Sequence, residues 1–184
     1  DGLFANVAKY VKNQMVLTVN PDPNTVAGIL MLFTPNSVAG VIASIQKGQH
    51  KIERLPFVKA SINDDKILWG INDIFIGRKD HISARYEVSF GGQTEHHSSS
   101  GIVVSTGVGS TGWLRSIQMM VAGIVGSRSS HKLSSVPDPT DSELVFIVRE
   151  PFPSPNTGVS LVTGRILPGR PLEISSEMPT GGYI

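Results

Sequence analysis

A chain of 184 residues and 19.7 kDa suits one domain with room for a short extension, and it can bury a core without a disulfide or metal staple. Having no cysteine, it excludes a disulfide framework, thiolate metal sites and cysteine nucleophiles. A formal net charge of +1 with 17% charged residues excludes general electrostatic capture of nucleic acid or an anionic membrane, and no apolar run approaches the roughly 20 residues of a spanning helix.

In chain order, Leu3, Val7, Ala8 and Val11 fall at helical spacing and predict a short amphipathic helix over residues 3–13. Residues 14–20 are β-prone and stop at Pro21-Asp22-Pro23-Asn24, where neither proline can donate to a ladder. Pro35-Asn36-Ser37 opens a second helix with Val38, Val41, Ile42 and Ile45 on one stripe and Gly48 near its end. The period then changes to two. Residues 52–62, 66–77 and 81–90 read as successive strands, with Asn63-Asp64-Asp65 and Gly91-Gly92 as turn signals.

Residues 101–105 form a short buried strand, followed by the glycine-punctuated stretch 106–112 and a third helix over 113–125. The serine-rich stretch 126–142 reads as a long mobile loop, and residues 143–149, 159–167 and 172–176 close the chain as strands. With 19 glycines and 12 prolines as punctuation, the expected class is α+β and mainly β, with two or three helices. The Asp1 start and the tail, a turn into a strand barely begun, predict an excised piece truncated at its C-terminus.

Three places carry candidate chemistry. Asn72-Asp73 interrupts an apolar run, Ile67-Leu68-Trp69 before it and Ile74-Phe75-Ile76 after it. A carboxylate there must be paired, hydrogen-bonded or facing a ligand, because an unpartnered buried charge costs several kcal/mol. The pattern alone favours a bulge in which both side chains satisfy nearby backbone. The functional reading is a pair that hydrogen-bonds ribose hydroxyls or a base edge.

The second place is the Ser105-to-Trp113 turn, which runs from strand to helix through Thr106, Gly107, Gly109, Ser110, Thr111 and Gly112. Its glycines would let backbone approach a ligand, and helix-start amides favour phosphate. Ser110 or Thr111 could equally serve as a plain N-cap. No lysine follows the last glycine, so it is not a Walker loop. Asp1-Gly2, the third place, means only a turn when taken alone. The five histidines show no metal-ligand spacing and read as surface residues, and no metal site is expected.

Taken in order, these pieces resemble the NAD kinase family, most closely the divergent branch that includes the mitochondrial type of animals. Asp1-Gly2 is similar to the second half of a Gly-Gly-Asp-Gly motif. Asn72-Asp73 resembles that family's Asn-acid pair, and Thr106 to Trp113 resembles its Thr-Pro-Thr-Gly-Ser-Thr-Ala-Tyr loop. Ser98-Ser99-Ser100-Gly101 and Val148-Arg149-Glu150-Pro151 also resemble the divergent branch.

The resemblance implies an ATP- and Mg²⁺-dependent transfer of a phosphoryl group to the 2′-hydroxyl of the adenosine ribose of NAD, giving NADP. Asp1 would be the catalytic base. Asn72, Asp73 and the loop residues Thr106, Gly107, Gly109, Ser110, Thr111, Gly112 and Trp113 would hold the dinucleotide, with Mg²⁺ carried by phosphates. It further implies a β-sandwich-like C-terminal domain of the NAD kinase type. Residues 1–14 would be a junction helix left from a missing N-terminal α/β nucleotide domain, and residues 15–184 the β-rich NAD-binding and assembly domain.

A homo-oligomer is implied too, and an isolated fragment that is inactive. The expected compartment is the cytoplasm, or the mitochondrion if a targeting peptide has been removed. The chain departs from the family at Asp73 (usually glutamate), at Gly107, Val108, Gly112 and Trp113, and at Ser100, where an aspartate is frequent. The alternatives are a related lipid or sugar kinase and a non-catalytic binding or oligomerisation module.

Overall fold

The computed structural model describes residues 2–26, 28–63, 65–126 and 136–184, and the chain divides into two units, residues 1–55 and 56–184. Asp1 and most of the serine-rich stretch expected as a mobile loop, residues 127–135, lie outside the described residues.

In the first unit, helix α1 spans Gly2–Ala8, shorter than the apolar spacing predicts. The Gln14 side chain explains the stop. Its Oε1 accepts from the backbone N–H of Lys12 at 2.7 Å and of Asn13 at 3.1 Å, which offers those amides an alternative to the helix ladder. Residues 14–20 form no strand and keep only an isolated parallel bridge, Val19 to Phe33. Helix α2 spans Pro35–Gln46 with Pro35 at its first turn. The Thr34 backbone N–H donates to Ser37 Oγ at 2.9 Å, and the chain leaves at Gly48 with φ of 69°.

The second unit is mainly β. Strands β1 (Val58–Ile62) and β2 (Lys66–Gly70) pair as an antiparallel hairpin. Five strands form an antiparallel sheet: β3 (Asp73–Arg78), β6 (Ile102–Ser105), β7 (Leu144–Val148), β8 (Thr163–Ile166) and β10 (Gly182–Tyr183), in the order β10-β3-β6-β7-β8. A three-stranded antiparallel sheet has the order β5-β4-β9, from β4 (Ala84–Phe90), β5 (Gln93–Ser99) and β9 (Glu173–Ser176).

One core joins the two sheets. Ile74, Ile102, Val104, Phe146, Val148 and Ile166 of the five-stranded sheet cluster with Ala84, Tyr86 and Val88, which alternate along β4 as period-two packing requires. Phe90 meets Phe146 edge-on at 5.1 Å. Phe75, Val103 and Val145 point to the opposite face of the larger sheet. There Phe75 stacks on Trp113, the first residue of α3 (Trp113–Val125), with ring centroids 5.4 Å apart. Helix α3 buries Leu114 and Ile117 and ends at Gly126 with φ of 71°, at the bounds its sequence predicts.

Two expectations need correction. The run 66–77 is two strands broken at Ile71-Asn72, and residues 93–99, polar throughout, form β5. His97 on that strand is wholly buried and stacks against Tyr86 at 5.7 Å, so it is no surface residue. Its neighbour His96 is exposed, as alternation along a strand demands.

Candidate functional site

The site begins with register. Antiparallel pairing of β3 with β6 sets Asp73 opposite Ser105, so the chain leaving β6 passes directly beside Ile71 and Asn72. Thr106 fastens the two segments. Its backbone N–H donates to the Asn72 carbonyl at 2.9 Å, and its hydroxyl donates to the Ile71 carbonyl at 2.6 Å. The same hydroxyl accepts from the Gly109 N–H at 3.0 Å. Thr106 is wholly buried, so each of these bonds replaces one that water cannot make.

The glycines permit the approach. A Cβ on Gly109 would collide with the backbone carbonyl of Asn72, and one on Gly107 would collide with the backbone of Pro137 and Asp138. Ser110 Oγ donates to the Gly107 carbonyl at 2.5 Å and Thr111 Oγ1 to the Val108 carbonyl at 2.9 Å. Both hydroxyls therefore serve the loop's own carbonyls, and neither caps α3, whose N-cap residue is Gly112 and which has no side-chain cap. The loop 106–112 and the Asn72-Asp73 pair, separated by more than thirty residues, form one junction.

That junction contains two unsatisfied acceptors. Asn72 Oδ1 and Asp73 Oδ1 are buried and have no hydrogen-bond partner among the described residues. Burial pushes the Asp73 carboxyl above the ordinary aspartate value, and the facing Ser105 hydroxyl pulls the other way. The bulge reading, in which both side chains satisfy neighbouring backbone, does not describe these oxygens. An arrangement of adjacent buried acceptors beside close-packed glycine backbone suits a ligand that brings hydroxyl or amine donors.

Beyond the junction, Arg149 is held over both rings of the Phe75–Trp113 stack, its guanidinium carbon 5.1 Å from the Trp113 centroid and 5.9 Å from that of Phe75. A cavity of about 260 Å³ opens beside it, lined by Phe75, Arg78, Asp80, Ser100, Arg149 and Glu150. Arg78 grips Asp80 through two 2.6 Å bonds and holds its carboxyl at about 2. Glu150 keeps φ of 48° immediately before Pro151, and the Ser100 hydroxyl donates to its carboxylate. In the sequence, Ser100, Arg149 and Glu150 stand out only as parts of the stretches 98–101 and 148–151. Their meeting follows from the β6–β7 pairing, which no local pattern announces.

The structure therefore brings together Asn72, Asp73, Thr106, Gly107, Gly109, Ser110 and Thr111, with Gly112 and Trp113 leading into α3. Asp1 lies outside the described residues. Among the described residues no group of three or more histidines, aspartates or glutamates is placed to hold a metal ion, and no helix is long and apolar enough to cross a membrane.

No protein-family model matches the chain, and no curated protein matches it in sequence. Among solved structures, it is similar to the yeast NADH kinase in complex with NADH, with a TM-score of 0.60 at 16% identity over 99% of this chain and 54% of that one. An NAD kinase from Archaeoglobus fulgidus in complex with ATP aligns with a TM-score of 0.46 at 16% identity, over 80% of this chain and 47% of that one. The chain spans about half the length of these neighbours. At such identity the likeness to the yeast enzyme concerns the fold, which is the β-rich fold the resemblance implies.

Proposed function

We propose that the chain is the dinucleotide-holding part of an NAD kinase, which phosphorylates the 2′-hydroxyl of the adenosine ribose of NAD to give NADP. The observation that carries this is the pair of buried, unpartnered acceptors, Asn72 Oδ1 and Asp73 Oδ1, at the glycine loop. Ribose hydroxyls are the donors such a pair lacks. The fold it shares with the yeast NADH kinase supports the same reading.

Asn72 and Asp73 accept from the ribose and fix its orientation, and Gly107 and Gly109 bring backbone against the nucleoside. Trp113 and Phe75 supply an aromatic wall. Phosphoryl transfer of this kind is positioning and charge stabilisation, so holding the hydroxyl still is itself a catalytic contribution. Asp1 is the proposed base that takes the hydroxyl proton. ATP would supply the phosphoryl group, and Mg²⁺ would neutralise the charge on its phosphates. Specialisation toward the mitochondrial branch, homo-oligomeric assembly and a cytoplasmic or mitochondrial setting belong to the same proposal.

The test has two parts. The isolated chain should bind NAD in a calorimetric titration while forming no NADP from NAD and MgATP. In a longer parent protein carrying the α/β nucleotide layer, Asn72→Ala and Asp73→Ala should each abolish NADP formation with circular dichroism unchanged. Full turnover in both variants would remove the site, and phosphorylation of a sugar or lipid in place of NAD would favour the related-kinase reading.

A further inference from the structure

A larger cleft, about 720 Å³, lies on the outer face of the three-stranded sheet and shares no lining residue with the cavity beside Arg149. Its floor is a row of residues across the strands. The Phe152 N–H donates to the Ser98 carbonyl at 2.8 Å, Ser98 is the register partner of Arg85, and the Glu177 N–H donates to the Arg85 carbonyl at 3.0 Å. Neighbouring strands are spaced about 5 Å, so Phe152 and Arg85 stand about 10 Å apart along this row. The loop that carries Phe152 and Asn156 is tied to the edge of β5 at its other end as well, through the Gly158 N–H to the His96 carbonyl at 3.0 Å.

The side chains on that floor have unspent chemistry. Among the described residues the Arg85 guanidinium has no ion pair, and the Ser98 hydroxyl and Asn156 amide have no hydrogen bond. Glu177, the carboxylate next to Arg85, is already engaged by His96 Nδ1 at 2.5 Å. Phe152, 64% exposed, stands at the opposite end of the row and leaves an aromatic face available to a ligand.

We propose that this cleft is a second ligand site that takes an aromatic ring bearing a phosphate, a compound of mononucleotide size. The ring stacks on Phe152, and the phosphate is taken by the Arg85 fork with Ser98 and Asn156 beside it. A guanidinium matches phosphate oxygens in pairs, and a volume near 700 Å³ falls within the range of small-molecule sites. The site is independent of the Asn72–Gly109 junction.

The experiment titrates the 184-residue chain with AMP, adenosine, inorganic phosphate and benzoate, followed by amide resonances of Ser98, Asn156 and Thr157. AMP should move these resonances saturably, with adenosine and phosphate each at least tenfold weaker. Arg85→Ala and Phe152→Ala, both at exposed positions, should each weaken AMP about tenfold. Asp73→Ala should leave AMP binding at these resonances intact, which separates the cleft from the proposed dinucleotide site. The proposal is overturned if AMP leaves the three resonances unmoved, if both exposed variants bind like the parent, or if phosphate or benzoate alone binds as tightly as AMP.

Discussion

The backbone carbonyl of Asn72 occupies the space that a side chain on Gly109 would need. This close approach lets the Thr106 hydroxyl reach both segments, and it makes position 109 sensitive to a single methyl group. Gly109→Ala should cost about 1–3 kcal/mol, the usual range for forcing atoms into a packed interior, and should reduce NAD binding with it. Gly123→Ala is the matched control. Its added Cβ meets nothing within 4 Å and sits inside α3, so it should stabilise by about 0.5–1 kcal/mol. Urea unfolding of both variants checks the pair, and equal effects of the same sign would mean that the junction is looser than described.

How much of this was legible in the sequence depended on whether the deciding partner was near in the chain. Helix α3 was readable at both ends because its stripe, its glycine entry and Gly126 are all local. The break between β2 and β3 was not, since Ile71 and Asn72 give their carbonyls to Thr106 far downstream and so leave the ladder. Strand β5 escaped because Gln93 to Ser99 has no apolar alternation. Its inward positions are Glu95, His97 and Ser99, polar groups satisfied by the Ser160 and Leu161 amides and by Tyr86, or left open as at His97 Nδ1. The Asn72-Asp73 pair stood out as polar within an oily run, but its missing partners are visible only in three dimensions.

Thr106→Val keeps shape and burial and removes the hydroxyl. The Gly109 N–H and the Ile71 carbonyl then lose a partner inside the protein, and a buried group left unsatisfied costs about 1–3 kcal/mol. We expect a loss of about 2 kcal/mol for Thr106→Val and much less for Thr106→Ser, which keeps the oxygen. Denaturant midpoints at constant slope measure both. A serine variant as damaged as the valine one would assign the effect to the methyl group instead.

Asp73 has a pH signature whose sign is fixed by its raised carboxyl. A folded-state value above the unfolded one means that the native chain holds the proton more tightly, so ionisation costs stability as pH rises through and beyond the ordinary aspartate range. Asp73→Asn should therefore melt at a higher temperature than the parent at pH 7, and the difference should shrink as pH falls toward 4. The same variant should bind NAD less well, the usual exchange of stability for function at a site. Thermal melts from pH 4 to 8 decide it, and a parent more stable than the variant at neutral pH would contradict the assignment of burial as the dominant cause.

In the core, Tyr86 hydroxyl and Ser99 Oγ sit 2.5 Å apart, and Ser99 Oγ also accepts the Gly101 N–H at 2.9 Å. Burial pushes the phenol up to about 12, with the serine contact opposing the rise. The unfolded chain ionises its tyrosine near 10, so the native state should lose stability relative to Tyr86→Phe as pH climbs from about 10 to about 12. At neutral pH the order reverses, because Tyr86→Phe removes one buried hydrogen bond at about 1 kcal/mol. Ser99→Ala should cost more than Tyr86→Phe, since it strands both the phenol and the amide of Gly101, the residue before β6, held at φ of 100°. A double-mutant cycle in urea at pH 7, with absorbance at 295 nm followed to pH 12, reads both effects. Additive losses, or a phenolate component lost from Tyr86→Phe well below pH 12, would count against this buried pair.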